Sequence, residues 1–268
     1  MRHGIILAST IGLALAGTVH AGLLTYEGFD YPSSSSLNEQ SGGTGWDANW
    51  GAFLGGTGDH TVASSTLHDP SNTLQTSANR TTTGGAFAGR YPLLPGYGAA
   101  GSSVYYSILI RPESTPDTDD YYGLQLFSNN GGTDLFIGKG GSAMTYRLEG
   151  NSTSSDSALS ATLGQTVLLV ARIDFNPSGN VSDPETFRLY VNPLPGASEP
   201  ATADATLSFN LGSQNGLALN SGNGSSVSFD EIRIGTDYAS VVPAIIPEPA
   251  SLSLLALAAG VMARRRHA

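Results

Sequence analysis

The chain has 268 residues and no cysteine, which excludes disulfides, thiolate metal sites and cysteine nucleophiles. Hydrophobic residues make up 40% of it and glycines number 34, enough to bury a core and to supply many turns. Between Gly22 and Ile246 stand 21 acidic and 8 basic residues, a net charge of −13, so the surface repels phosphate backbones and nucleic acid is excluded as a partner.

The first element in chain order is a secretion signal. Met1, Arg2 and His3 supply a basic start, Gly4 to Gly17 an apolar run, and Val19-His20-Ala21 a small-x-small ending. That order is read by signal peptidase, with cleavage expected after Ala21 and a mature chain that works outside the cytoplasm.

Residues 22–242 read as one domain made of strands, with no amphipathic helix. Trp46 and Trp50 lie early, beside a glycine-rich segment. Their ring faces suit the C–H side of a sugar, and the same rings suit core packing. Val104, Tyr106, Ile108 and Ile110 alternate onto one face, and Tyr122 to Phe127 follows after a turn-rich stretch. Val167 to Phe175 is apolar on both faces until Arg172 and Asp174, as a central strand requires. Phe187, Leu189 and Val191 alternate with Arg188, Tyr190 and Asn192, which describes a half-buried strand. Turns are expected at Asn129-Asn130-Gly131-Gly132, Lys139-Gly140-Gly141 and Ser221-Gly222-Asn223-Gly224. Short strands joined by turns, with no internal repeat, predict an all-β, two-sheet antiparallel sandwich.

Between two of these strands, Asp174, Asn176, Ser178, Asn180 and Glu185 follow the spacing of a calcium-binding loop. Oxygen donors stand on alternate residues, Gly179 permits the sharp turn, and Glu185 closes the set. Calcium is the cofactor this spacing points to. No helix flanks the loop, and Pro177 and Pro184 stiffen it, so a polar hairpin is the alternative. Near the end of the domain, Val227 and Phe229 have one parity whereas Ile232 and Ile234 have the other. Keeping both pairs buried requires a β-bulge near Asp230 or burial on both sides, and a bulge is expected.

Catalytic constellations are missing. There is no Gly-x-Ser-x-Gly elbow, only His60 and His68 remain in the mature domain as a base or a zinc ligand, and Asp230 and Glu231 are adjacent, so a strand would point them to opposite faces. The domain is therefore read as non-enzymatic.

The C-terminal segment, residues 243–268, holds Pro247-Glu248-Pro249, an apolar run from Ala250 to Ala263, and Arg264-Arg265-Arg266. The fourteen residues of this run rise about 21 Å as a helix against a hydrocarbon core of about 30 Å, which makes a short membrane contact with the arginines held inside.

Three stretches resemble known families. Ile246 to Ala268 is similar to the PEP-CTERM sorting signal of Gram-negative-type bacteria that make exopolysaccharide. The resemblance implies recognition of Pro247, Glu248 and Pro249 by an exosortase, with Arg264, Arg265 and Arg266 as the stop. Leu24 to Tyr31, followed by Gly42-Gly43-Thr44-Gly45-Trp46 and Trp50, resembles the start of many PEP-CTERM proteins. Phe229-Asp230-Glu231-Ile232-Arg233-Ile234-Gly235 resembles the last strand of concanavalin A-like, laminin-G-like jelly rolls. That likeness implies a jelly-roll topology; laminarinase-type members carry Glu-x-Asp-x-x-Glu there, which this chain lacks.

Three functions stand open on the sequence: a non-enzymatic protein of the cell envelope or extracellular matrix, a carbohydrate-binding module for exopolysaccharide and, least favoured, an enzyme acting on polysaccharide.

Overall fold

The computed structural model of the protein describes residues 22–51, 60–84, 87–92, 98–128, 134–180, 182–211 and 214–245. The secretion signal, Pro247, Glu248, Pro249, Arg264, Arg265, Arg266 and the turn at Asn129 to Gly132 lie outside the described residues. In chain order the strands are β1 (Leu23–Glu27), β2 (Thr61–Ser64), β3 (Asn79–Thr83), β4 (Phe87–Arg90), β5 (Ser103–Pro112), β6 (Tyr121–Ser128) and β7 (Leu135–Lys139). There follow β8 (Thr145–Gly150), β9 (Thr153–Ser160), β10 (Val167–Asp174), β11 (Glu185–Val191), β12 (Ala205–Phe209), β13 (Gln214–Gly222) and β14 (Val227–Gly235), then one turn of helix, α1 (Tyr238–Val241).

The strands form two sheets. The larger runs β12-β11-β10-β5-β14-β3-β2, and β1 shares with β3 the other edge of β14; the smaller runs β4-β13-β6-β7-β8-β9. Neighbours pair antiparallel throughout. Early and late strands interleave in both sheets, and the chain passes from one sheet to the other after β3, β4, β5, β9, β12 and β13. This is the expected all-β, two-sheet jelly-roll sandwich.

Alternation builds the core between the sheets. Val104, Tyr106, Ile108 and Ile110 of β5 and Val167, Leu169, Ala171 and Ile173 of β10 face Leu124, Leu126, Leu135, Ile137, Leu217 and Leu219 of the smaller sheet. Each such aliphatic side chain, fully enclosed, contributes about 1.5–3 kcal/mol relative to exposure.

A second apolar layer covers the outer face of the larger sheet. Tyr105, Leu109, Leu168, Val170 and Tyr190 point outward and meet Leu67 and Leu74 from the loop after β2, with Tyr238, Val241 and Val242 from the C-terminal segment. Asp237 caps α1 by accepting from the Ser240 amide at 2.8 Å. This layer explains why β10 is apolar on both faces, and it corrects the half-buried reading of β11, because Tyr190 is buried beneath it.

The bulge expected near Asp230 is present. Asp230 pairs with Leu109 but Arg233 pairs with Ser107, so β14 holds one extra residue there, and Glu231 takes φ 56°. The slip restores Ile232 and Ile234 to the core beside Val227 and Phe229. The turn after β13 differs from expectation: Asn223 (φ 57°) and Gly224 (φ 85°) do not close a hairpin but carry the chain across to β14 in the other sheet. The segment Pro243 to Ile245 still packs on the domain, the Ile245 amide donating to Thr73 O at 2.7 Å.

Candidate functional site

With the larger sheet covered, half-exposed side chains gather on the outer face of the smaller sheet. Parity sends Tyr122, Leu124 and Leu126 of β6 inward, and therefore Tyr121, Gly123, Gln125 and Phe127 outward. The pairing aligns Gln125 with Phe136 and Phe136 with Glu149, so these three form one row across β6, β7 and β8. The adjacent row runs Asn220, Gly123, Gly138, Arg147. Its centre is bare backbone: a Cβ on Gly123 would lie 2.3 Å from Ile137 O, and one on Gly138 would lie 2.2 Å from Tyr122 O.

The outcome is a trough with two adjoining hollows of about 430 and 470 Å³. Gln125, Phe136 and Glu149 border both. The first continues to Tyr121, Asn220 and the turn Gly140-Gly141-Ser142, and the second to Asp134 and the turn Gly150-Asn151-Ser152. In that second turn Asn151 (φ 49°) and Ser152 (φ 59°) both adopt left-handed backbone, as a two-residue hairpin loop requires.

The polar groups of the trough are chained and held in place. The Asn220 side-chain amide donates to Gln125 Oε1 at 2.6 Å, and the Gln125 amide donates to Asp134 Oδ2 at 3.1 Å. Arg147 grips Asp156 with two parallel bonds of 2.8 Å, donates to Ser142 at 2.8 Å and reaches Glu149 at 3.3 Å. Hydrogen bonds from Arg147, outweighing burial, hold the Asp156 carboxyl below the usual aspartate range. The Glu149 side chain is 45% exposed. The surface thus offers planar amide and carboxylate groups around the phenyl ring of Phe136, whose place in the row is set by the pairing of β6, β7 and β8. Sequence reasoning missed this set. The available signal was glycine inside two strong strands, at 123 and 138, where a side chain is otherwise expected.

The residues singled out in the sequence lie elsewhere. Trp50 is 1% exposed, stacked near Phe29 (5.8 Å) and donating its indole N–H to Glu27 Oε2 at 2.9 Å. Trp46 is partly buried against the core, bonds to Tyr26 O at 3.0 Å and has the Arg90 guanidinium 4.8 Å from its ring. Of the two readings open for this pair, Trp50 follows core packing, since it has no open face, whereas Trp46 keeps partial exposure with the Arg90 cation against its ring. Glu27, buried with Arg90 at 2.8 Å, also accepts from Tyr31 at 2.7 Å.

Of the five residues of the calcium spacing, Asn176 and Glu185 meet, the Asn176 amide donating to Glu185 Oε1 at 3.4 Å, but Asp174 points away from them. Asp174 lies on the outer face of the larger sheet, where its oxygens accept from Ser103 (2.5 Å), Arg172 (2.7 Å) and Arg188. Glu185 instead accepts from the Leu211 amide at 2.8 Å. Asn176 donates to Asp183 O at 2.5 Å, Ser178 bonds to the Asp183 carboxylate, and Asn180 accepts from the Ser182 amide at 3.1 Å. The hairpin is knit by its own side chains, with arginines at the position where a cation was expected.

Asp230 and Glu231 are wholly buried and anchor the loop after β2. Asp230 accepts from Thr66 (2.6 Å), Leu67 N (2.8 Å) and Glu231 N (2.8 Å), and Glu231 accepts from Ser77 N (2.5 Å), Tyr26 (3.3 Å) and Arg233 (2.5 Å). Burial, with the neighbouring Glu231 carboxylate, pushes the Asp230 carboxyl well above the usual range. Their role is to fix a bulge and a strap, away from the trough.

No family model matches the chain, and no curated protein does. Among solved structures, a Trypanosoma rangeli sialidase with 2,3-difluorosialic acid is similar at 14% identity and a TM-score of 0.47, over 89% of this chain and 34% of that one. The receptor-binding domain of botulinum neurotoxin mosaic serotype C/D is similar at 10% identity and a TM-score of 0.43, over 82% of this chain and 48% of that one. A carbohydrate esterase from the Shiga toxin-encoding bacteriophage phi24B is similar at 12% identity and a TM-score of 0.44, over 77% of this chain and all of that one. The chain spans about a third of the sialidase and half of the toxin domain. The assignment as a two-sheet sandwich rests on the strand pairing above. Among the described residues, no helix is long and apolar enough to cross a membrane.

Proposed function

We propose that the protein is an exported, non-enzymatic, carbohydrate-binding component of the cell envelope or extracellular matrix, with the trough on the smaller sheet as its binding site. The supporting observation is the row Gln125, Phe136 and Glu149, chained to Asn220 and Asp134. A sugar ring presents C–H groups to an aromatic face and hydroxyls to planar amides and carboxylates, and this row supplies both from a rigid sheet. Titration of the full chain against immobilised neutral polysaccharides tests the reading. Binding is expected, and Phe136→Ala is expected to weaken it about tenfold, by the loss of roughly 1–2 kcal/mol of ring contact. Absence of binding to every neutral polysaccharide would overturn the proposal.

Delivery completes the reading: signal peptidase removes residues 1–21, and the C-terminal segment, touching the membrane, is sorted by an exosortase. The protein recovered from its host is expected to begin at Gly22 and to lack Arg264 to Arg266. An intact mass that includes those arginines would remove the sorting step and leave a simple anchor.

A further inference from the structure

The geometry points to an extended, uncharged polysaccharide chain, laid lengthwise along β6, β7 and β8 with at least two sugar subsites separated by the row of Gln125, Phe136 and Glu149. This rests on the carbohydrate-binding reading above and adds the direction, length and charge of the ligand.

Direction follows from the strand pairing. β6 and β7 are antiparallel, so Tyr121 lies at the Gly140 end of the pair and Phe127 at the Asp134 end. The first hollow opens toward Tyr121 and Gly140, and the second toward Asp134 and Gly150. The two hollows therefore succeed one another along the strands. From Asp134 to Gly140 the chain advances six residues, about 20 Å at roughly 3.3 Å per strand residue. One sugar ring reaches only part of that length, while a chain crosses the Phe136 ring and occupies both sides of it.

Charge follows from a census of cations. Eight lysines and arginines stand between Gly22 and Ile246, and each is already engaged. Arg90, Arg111, Arg147, Arg172, Arg188 and Arg233 pair with carboxylates. Arg80 donates to the carbonyls of Ser64 and Ser65, and Lys139 to those of Asp117 and Asp120. At the trough itself every nitrogen of Arg147 is taken up by Asp156, Ser142 or Glu149. Asp134 and Glu149 contribute negative charge, so a uronate or sulfated chain would bring like charge into the trough with no available cation to offset it.

The test is calorimetric titration of the full chain with neutral gluco-oligosaccharides of one to six units, in the β-1,3 and β-1,4 series, and with oligogalacturonides of the same lengths. Affinity is expected to rise at least about tenfold between one and four neutral units and then level off, and oligogalacturonides are expected to bind at least about tenfold more weakly than neutral chains of equal length. Tyr121→Ala and Asp134→Ala, at opposite ends, should each weaken the tetramer about tenfold, and neither should alter the melting temperature by more than a few degrees. A monosaccharide that binds as tightly as the tetramer would overturn the lengthwise chain. Equal binding of oligogalacturonides would overturn the charge selection. Either result leaves carbohydrate binding intact, whereas Phe136→Ala that leaves neutral-polysaccharide binding unchanged removes the site itself.

Discussion

Glu231 shows how one residue resolves a conflict written into the chain. With strict alternation, either Val227 and Phe229 or Ile232 and Ile234 would face away from the core. The extra residue at φ 56° shifts the parity, and the three donors to its carboxylate hold that backbone in place. The conflict was legible in the sequence; two of the donors were not, because Tyr26 and Ser77 reach Glu231 only across the fold. Trp50 is the reverse case. A tryptophan beside glycines reads equally as a binding surface or as core, and the deciding partner, Glu27, is 23 residues away. Trp50→Phe keeps the apolar ring but removes a hydrogen bond to a buried carboxylate. It is expected to destabilise the domain by about 1–3 kcal/mol in denaturant titrations, with glycan affinity unchanged. Loss of affinity without loss of stability would restore the stacking role.

At the scale of elements, the loops decide which sheet face remains available. The loop after β2, the connection from β11 to β12 and the segment around α1 together cover the larger sheet. Glu199 fastens the second of these, accepting from Tyr190 (2.5 Å), Tyr105 (2.8 Å) and Arg172 (3.0 Å). Burial alone would raise its pKa, but those hydrogen bonds outweigh it and hold the carboxyl below the usual glutamate range. A carboxyl depressed in the folded state stabilises the fold above its unfolded pKa and loses that contribution as pH falls through the folded value. The contribution is therefore present at neutral pH and declines below about pH 4. Glu199→Gln is expected to lower Tm by roughly 2–4 °C at neutral pH, with the difference narrowing in acid. A constant difference from pH 7 to pH 3 would show that the carboxylate charge is not what fastens the loop.

For the whole molecule, the sheet class and the inward faces of β5 and β11 were readable because apolar alternation is a local signal. Long-range matters were less accessible. The outward row of Gln125, Phe136 and Glu149 is assembled from three strands by register, and no local spacing encodes it. Asn223-Gly224 carries a turn signature of correct type but joins two sheets, because local backbone preference does not specify the next partner.

The C-terminal segment also gives the sandwich a front and a back. Ile245 lies beside Thr73, on the layer over the larger sheet, whereas the trough lies across the core on the opposite face. If the protein is tethered through its C-terminal segment, as proposed above, the trough stands on the side of the domain away from Ile245. A single long polymer could then be gripped by many neighbours at once, each contact weak, with the effective concentration set by the spacing of the tethers and not by the affinity of any one domain.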